Sequence, residues 1–311
     1  MTRDKRKPFI GEDRILRWEN RTGEEVGLME FVERNLRDAK RTDIKRWLKY
    51  GHLSVDGVVS TGFATPVGDG AAVELNLSRP FVKFHHRRVE IIYEDDHILV
   101  ANKGYGLLSV GTGRLGADGS RKREESAYGI LKDYIKEKNV RDKLYVVHRL
   151  DRDTSGLIIF AKSEAARDAL QHNWQNMILS RKYVAVVEGR MEKDEGEITS
   201  ALNENSSFYV YSKKDSKGKK YTTLYRVIQR GENATLVEFE LLSSGKNQIR
   251  VHASDIGHPI VGDRKYGGSG SSLRRLALHA RTLDFAHPIT KKYMRFETPV
   301  PTKFIGFVRH S

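Results

Sequence analysis

The chain of 311 residues contains no cysteine. This absence excludes disulfides, a thiolate nucleophile and cysteine-ligated zinc. No stretch approaches the roughly 18 consecutive apolar residues that a membrane span needs. The N-terminal stretch MTRDKRKPFIGEDR also lacks the apolar core of a secretory signal. We therefore expect a cytoplasmic protein that does not contact the membrane.

Charge is the most one-sided property of the composition. The chain has 55 lysines and arginines against 41 acidic residues, a net charge of +14. Such an excess attracts polyanions, and nucleic acid is the most common of these for a soluble protein. The alternative is a basic surface that only confers solubility. The length suits two domains, and 38% hydrophobic residues are typical of globular proteins.

The first part of the chain predicts two short helices and a small sheet. Helical spacing predicts a first helix with the apolar positions Leu28, Phe31, Val32 and Leu36. Thr42 is expected to cap a second helix that Gly51 ends and whose inner face is Ile44, Trp47 and Leu48. Asp56-Gly57, between two short apolar stretches, predicts a hairpin turn.

The outer face of this predicted helix pair is basic. It consists of Arg34, Arg37, Lys40, Arg41, Lys45, Arg46 and Lys49. Such a run is often only a solvated surface, but its single sign is equally typical of a surface that contacts RNA phosphates. Two helices, a small sheet and this face resemble the ribosomal-protein-S-four-like RNA-binding domain, over about residues 13–77.

Composition changes near residue 89, where buried strands begin. EIIYEDDHILVANK and GLIIFAK are apolar and β-branched. Helices are predicted around Ala127–Ile135, from Glu164 to Ile178 with Ser163 as cap, and in NQIRVHASDI. The irregular order of strands and helices predicts an α+β domain with a mainly antiparallel mixed sheet. The expected organisation is an arm (1–20), a small α+β RNA-binding domain (21–78), a basic linker (79–88) and a catalytic domain (89–311).

Several motifs are weak. Gly111, Gly113 and Gly116 spell GxGxxG, but the loop-like sequence after them lacks the helix that a dinucleotide site needs. Ser155 with His148 could suggest nucleophilic catalysis, but no G-x-S-x-G elbow is present. The remaining histidines lack metal-ligand spacing. We therefore predict no cofactor and no metal.

The most informative stretch is HRLDRDTSG, residues 148–156, which runs directly into an apolar strand. Local physical chemistry leaves two interpretations equally open. The loop could place a carboxylate at a cleft, or it could be a turn in which Asp151 pairs with a neighbouring arginine. The stretch resembles the signature H-R-L-D-x-x-T-S-G of RluA-type pseudouridine synthases. The resemblance implies that Asp151 is the catalytic aspartate.

Further stretches match the same family in order, over about residues 89–308. RKYVAVVEG resembles its second motif, which implies that Tyr183 lines the active site. SGKNQIRVHASDIGHPIVGDRKYG resembles the third, whose arginine, here Arg250, pairs with the aspartate. Gln248 is also retained, but Ser244-Gly245 replaces the usual Gly-Arg, which could alter substrate contacts.

The resemblance implies isomerisation of uridine to pseudouridine in structured RNA. Large-subunit ribosomal RNA is favoured, and transfer RNA remains open. The target uridine would flip from its stack, Arg149 would fill the vacated space, and Tyr183 would stack on the base. His148 and Gln248 are also expected to contact RNA. The alternative is a non-enzymatic RNA-binding or ribosome-associated factor. We expect a monomer, since no heptad seam is present.

Overall fold

The computed structural model describes residues 15–77, 84–111, 124–138, 142–213, 218–268 and 272–311. Internal contacts divide the chain into two compact units, residues 1–84 with 133–142, and residues 85–132 with 143–311. The division at residue 84 lies inside the predicted linker, of which residues 79–83 are outside the described residues. Gly113, Gly116 and residues 269–271 also lie outside the described residues. None of the described helices is long and apolar enough to cross a membrane.

The first unit consists of two helices and short strands. They are β1 (Ile15–Glu19), β2 (Val26–Gly27), α1 (Leu28–Asn35), α2 (Arg41–Lys49), β3 (Leu53–Val55), β4 (Val58–Val59), β5 (Pro66–Val67) and β6 (Ala72–Asn76). A four-stranded antiparallel sheet has the order β1-β6-β3-β4, and β2 pairs with β5. Strand β1 lies within the predicted N-terminal arm, but its backbone pairs with β6, so residues 15–19 are part of the sheet.

The apolar faces of α1 and α2 form the core of this unit. Leu28, Val32, Ile44 and Leu48 are all fully buried, as their helical spacing predicted. Thr42, however, lies inside α2, which begins at Arg41 after the extended Lys40 and has no side-chain cap. The hairpin is confirmed, with positive φ at the two turn residues Asp56 and Gly57.

The second unit is built on one large sheet. Its elements are β7 (Val89–Glu94), β8 (Ile98–Lys103), α3 (Ala127–Lys138), β9 (Tyr145–Val146), β10 (Ser155–Ala161), α4 (Glu164–His172), α5 (Trp174–Met177), β11 (Ile178–Glu188), β12 (Glu195–Glu204), β13 (Val210–Lys213), β14 (Lys220–Arg230), β15 (Ala234–Leu241), α6 (Gln248–Asp255), β16 (Leu278–Ala286), β17 (Tyr293–Glu297) and α7 (Thr302–Arg309). The last residues of α3, 133–138, belong by their contacts to the first unit.

The sheet has the strand order β13-β12-β14-β15-β11-β16-β10-β8-β7, with β17 paired to β16 and β9 to β10. Among the described strands of this sheet, every pair is antiparallel except β10 with β16. The predicted α+β architecture is confirmed. The sheet brings the end of β8, the start of β10 and the start of β16 side by side, although these segments are distant in the sequence.

The helix predicted from Glu164 to Ile178 is interrupted. Ser163 caps α4 as expected, because its side chain accepts a hydrogen bond from the Ala166 N–H. Asn173 then leaves helical geometry at φ −114° and ψ 27°, a short turn of helix follows, and Ile178 already belongs to β11. Asparagine is a weak helix former, and the ring of Trp174 packs against His148 at 4.9 Å. This tertiary contact accompanies the break in the helix.

The parallel contact of β10 with β16 depends on a glycine. Gly156 has φ +117°, and a Cβ there would lie 2.1 Å from the Ala280 carbonyl oxygen. No side chain fits such a distance, since the neighbouring atoms are backbone. Gly156 therefore allows the loop of residues 148–154 to enter the sheet directly beside β16.

Candidate active site

The loop before β10 is held by hydrogen bonds to a second loop, which follows β8. The Ser109 hydroxyl donates to the Leu150 carbonyl at 2.7 Å, and the Leu150 N–H donates back to Ser109 Oγ at 3.0 Å. Leu150 itself is buried. These paired bonds fix the backbone next to Asp151, so the position of this carboxylate is set by the scaffold.

Lys103 provides a second anchor, which the sequence analysis missed. Its ammonium group is fully buried and donates to the carbonyls of Gly104, Leu107 and Arg152, at 3.0, 2.8 and 3.1 Å. Burial lowers the pKa of Lys103 to about 8, although the charges of Asp153 and Asp151 oppose this. A lysine at the end of an apolar strand gives no sequence signal for this role.

His148 connects the loop to β10 and to Trp174. Its Nε2 accepts a hydrogen bond from the Ile159 N–H at 3.1 Å, and its ring packs on Trp174. Burial lowers the pKa of His148 to about 3. The ring is therefore a neutral acceptor engaged with β10, and it is not among the residues that line the pocket at Asp151. An RNA contact by His148 has no support in this arrangement.

Asp151 and Arg250 form the ion pair that the resemblance implied. Arg250 Nη1 lies 3.2 Å from Asp151 Oδ2, across 99 residues of sequence. The other side of the guanidinium forms two 2.7 Å bonds with Asp263, which is fully buried. Burial alone would lower the pKa of Arg250, but Asp263, with a smaller contribution from Asp151, raises it above its ordinary value.

Asp263 is a second residue that sequence reasoning missed. Besides Arg250, its Oδ1 accepts hydrogen bonds from the N–H groups of Lys265 and Tyr266, at 3.1 and 3.2 Å. A buried carboxylate with this many donors is a fixed partner, so it sets the orientation of the Arg250 fork. Asp263 belongs to the third motif, in the pattern G-D-x-x-Y-G, but the resemblance implied no role for it.

A pocket of about 90 Å³ lies beside this ion pair. Its lining includes Asp151, Arg250 and Tyr183, with Arg149, Gln248 and Gly245. Tyr183 reaches it from β11, where it pairs with Ala280 of β16. Burial raises the pKa of the Tyr183 phenol, opposed by the charge of Arg181. The structure thus brings together the three predicted catalytic residues.

Two further positions that the sequence analysis singled out are Gln248 and Gly245. The buried Gln248 amide donates to the Thr222 carbonyl, Thr223 Oγ1 and Ser243 Oγ, at 3.0, 2.9 and 3.2 Å. Its nitrogen is therefore used within the protein. At Gly245 an added Cβ would lie 2.8 Å from Leu202 Cδ1 and 2.9 Å from Tyr221 Cδ1. These two side chains occupy the room that the family's arginine would need.

Ser155 is a structural residue. It is buried, its hydroxyl bonds His279 Nδ1 at 2.8 Å, and Arg275 donates to it at 2.8 Å. His279 Nε2 in turn lies 2.9 Å from Thr298 Oγ1. Burial, with the charges of Arg275 and Arg281, lowers the pKa of His279 to about 4. This series of hydrogen bonds joins the start of β10 to β16. Ser155 does not line the pocket at Asp151.

The basic face of the first unit lies on α1, on α2 and on the segment between them, which holds Arg37 and Lys40. Its side chains are exposed except Arg46, which is half-buried. Arg34 pairs with Glu30, Arg41 with Glu33 at 3.2 Å and Arg46 with Asp43 at 3.0 Å. Pairs on an exposed surface, such as that of Arg34 and Glu30, contribute little to stability.

Comparison with known proteins shows the family of this chain. The family model described as RNA pseudouridylate synthase matches residues 97–255. The chain belongs to the RNA pseudouridine synthase family. Its members isomerise uridine to pseudouridine in RNA, so the predicted enzymatic function is confirmed.

Two relatives and one solved structure show how far the similarity extends. The ribosomal large subunit pseudouridine synthase D of Vibrio vulnificus is 32% identical, over 86% of this chain and 85% of its own. The dual-specificity RNA pseudouridine synthase RluA of Vibrio cholerae is 37% identical, over 64% of this chain and 78% of its own. The structure of human RNA pseudouridylate synthase domain containing 4 has a TM-score of 0.54 at 22% identity, over 69% of this chain and 90% of its own, which confirms the fold.

Proposed function

We propose that this pseudouridine synthase is of the RluA type, acts in the cytoplasm and modifies large-subunit ribosomal RNA, with Asp151 as its catalytic aspartate. The observation that carries the catalytic part is the 3.2 Å pair of Asp151 and Arg250 at a small pocket that Tyr183 also lines. The substrate rests on the printed name of the Vibrio vulnificus relative. The dual-specificity relative keeps transfer RNA as the second candidate.

The pocket suits a single base. At about 90 Å³ it is well below the roughly 300–1,000 Å³ of sites for drug-sized ligands. A uridine inside an RNA stack cannot reach Asp151, so the nucleotide must flip out, at a cost of a few kcal/mol. Arg149 would fill the space that the base leaves in the stack, and its exposed position at the pocket supports this role.

The reaction needs one carboxylate in a fixed position. The bond from ring nitrogen N1 to ribose C1′ breaks, the base rotates, and C5 bonds to C1′. The C5 proton leaves and N1 gains a proton, so atoms and electrons balance. Asp151 serves as nucleophile or base, and the positive charge of Arg250 favours its ionised form. Tyr183 stacks on the uracil ring.

The first unit would supply affinity through phosphates. The two helices and small sheet agree with an S-four-like RNA-binding domain, and six of the residues on their basic face are assigned here to RNA: Arg34, Arg37, Arg41, Lys45, Arg46 and Lys49. Each neutralised phosphate releases counterions, so binding of this kind weakens steeply as salt rises.

The test is release of tritium from C5 of uridine. Large-subunit ribosomal RNA and transfer RNA transcripts carrying that label are incubated with the wild type and with Asp151→Asn. We expect release from the ribosomal transcript by the wild type, no release by the variant, and equal RNA binding by both. Release from transfer RNA alone would overturn the substrate assignment. Release by the folded variant would overturn the role of Asp151.

A further inference from the structure

A second cleft lies beside the catalytic pocket and shares Arg250 with it. This cleft of about 690 Å³ is lined by the segment 262–265, the segment 274–276, Tyr105 and Asp153. It is several times larger than the pocket at Asp151. Asp151 lines only that smaller pocket. A nucleotide inserted into the small pocket would have its neighbours in the strand close to the shared Arg250.

The cleft carries a strong excess of positive charge. Besides Arg250 it has four cationic side chains in its lining: Arg264, Lys265, Arg274 and Arg275. Its acidic lining residues are the exposed Asp153 and the buried Asp263, which Arg250 already neutralises. Within the part of the chain that the structure describes, neither Arg264 nor Arg274 forms an ion pair, and both are exposed. Such a concentration of cations in a cleft attracts phosphates.

An exposed aromatic ring completes the cleft. Tyr105 is 51% exposed, and the Arg275 guanidinium lies 4.4 Å from its ring centroid. Arg275 is itself held by hydrogen bonds to Ser155 Oγ and the Leu276 carbonyl, at 2.8 and 3.1 Å. One side of the ring is thus supported by a fixed cation, while about half of the side chain faces solvent. Exposed aromatic rings beside cations are platforms on which unpaired bases stack.

We propose that this cleft binds the RNA next to the flipped uridine, with phosphates on Arg264 and Arg274 and a neighbouring base on Tyr105. The inference rests on the proposed function, because it places the target nucleotide in the pocket at Asp151. It adds a subsite that selects the strand around the target, separate from the basic face of the first unit.

The phosphate contacts are tested with Arg264→Gln/Arg274→Gln. The control is Lys291→Gln/Lys292→Gln, which removes the same charge from the turn between β16 and β17. That turn follows the end of β16 opposite to the cleft. With the tritiated large-subunit transcript, we expect KM to rise roughly tenfold for the cleft variant relative to the control, with kcat unchanged. The slope of log Kd against log salt should fall by about 1.5, as for two phosphate contacts.

Two outcomes would overturn the subsite: equal KM and equal salt slope for the cleft variant and its control, or a loss of kcat at unchanged KM. The salt slope is measured by filter binding and needs no turnover. A wild type that binds this RNA but releases no tritium would therefore contradict the proposed function, while the slope still decides the subsite.

Stacking on Tyr105 is tested with a conservative pair of variants. Tyr105→Phe keeps the ring and should bind as the wild type does. Tyr105→Ala removes the ring and should raise KM roughly tenfold, the range measured for loss of one stacked base. If both variants have the same KM, removal of the ring has no effect of its own and Tyr105 does not stack on RNA.

Discussion

The guanidinium of Arg250 distributes its hydrogen bonds between two carboxylates. Nε and Nη2 are taken by the buried Asp263, while Nη1 is left for Asp151 and the Asn247 side chain, both at 3.2 Å. This division holds the arginine still while Asp151 remains partly exposed, with 41% of its side chain accessible. Catalysis by a carboxylate benefits from such a fixed partner, because no reorganisation is needed during the reaction.

The first prediction at this scale concerns Asp263→Asn. The amide would turn an N–H toward a donor of Arg250, so the guanidinium should move away from Asp151. A misplacement of about 1 Å costs roughly 100-fold in rate. We expect kcat for tritium release to fall by about this factor, with KM little changed.

The matched control is Asp284→Asn, another buried aspartate, which lies 3.5 Å from Arg295. It should lower the unfolding midpoint without changing kcat. If both variants lose activity in proportion to their loss of stability, the positioning role of Asp263 is wrong.

Sequence reasoning at the residue scale found Asp151, Tyr183 and Arg250 through motif matches, and the structure gathers all three in one pocket. It missed Lys103 and Asp263, whose roles depend on burial and on carbonyl or N–H partners that no local pattern reveals. His148 and Gln248 were given RNA contacts because they belong to the same motifs. His148 Nε2 and the Gln248 amide nitrogen form hydrogen bonds within the protein, and Gln248 also lines the pocket, so these RNA contacts stay predictions.

At the scale of elements, the active-site loop owes its position to the close approach of β10 and β16. The second prediction is that Gly156→Ala destabilises the protein by about 3 kcal/mol or more, from backbone strain and overpacking together. The reason is the 2.1 Å distance from the new Cβ to the Ala280 oxygen. The free energy of unfolding in urea measures it.

Gly306→Ala is the comparison for that experiment. Gly306 lies within α7, and an added Cβ would meet no atom within 4 Å. Alanine should there raise the free energy of unfolding by up to about 1 kcal/mol, since it is the better helix former. A similar effect at both positions would mean that the close approach of the two strands does not constrain Gly156.

Helices and strands could be predicted where the apolar residues recur with a clear period. The residues at which helices begin and end could not. The apolar faces of α1 and α2 and the strands β7, β8 and β10 follow from the sequence. The end of α4 does not, because the break at Asn173 accompanies packing of Trp174 on a residue 26 positions earlier. Thr42 is a good capping residue, but the chain enters the helix at Arg41 without using it.

At the scale of the whole molecule, the third prediction is a loss of stability in mild acid. The pKa of His279 is lowered to about 4, against about 6.5 in an unfolded chain. The unfolded state therefore binds the additional proton first, and the stability that neutral His279 contributes is lost as pH falls from about 6.5 toward 4. Between pH 7.5 and 5 we expect a contribution on the order of 1–2 kcal/mol.

Urea unfolding at the two pH values checks this. His279→Gln should reduce the pH dependence by that amount, while His310→Gln, at an exposed position, should leave it unchanged. If the two variants show the same pH dependence as the wild type, then protonation of His279 does not contribute to the acid sensitivity of the fold.

The two-unit organisation and the α+β sheet of the second unit could be predicted from composition, strand pattern and family motifs. The parallel contact between β10 and β16 could not, since no local pattern gives the pairing of two strands 124 residues apart at Ser155 and His279. The domain boundaries within the linker and the monomeric state stay predictions.

The parallel contact of β10 with β16 also affects when the active site forms during folding. The loop with Asp151 is completed by partners at positions 103, 109, 250 and 279. Contacts so distant in sequence form slowly, because much of the chain must be ordered before they are made. During synthesis the nascent chain can form its first helices and sheet early. A functioning active site must wait until β16 has left the ribosome.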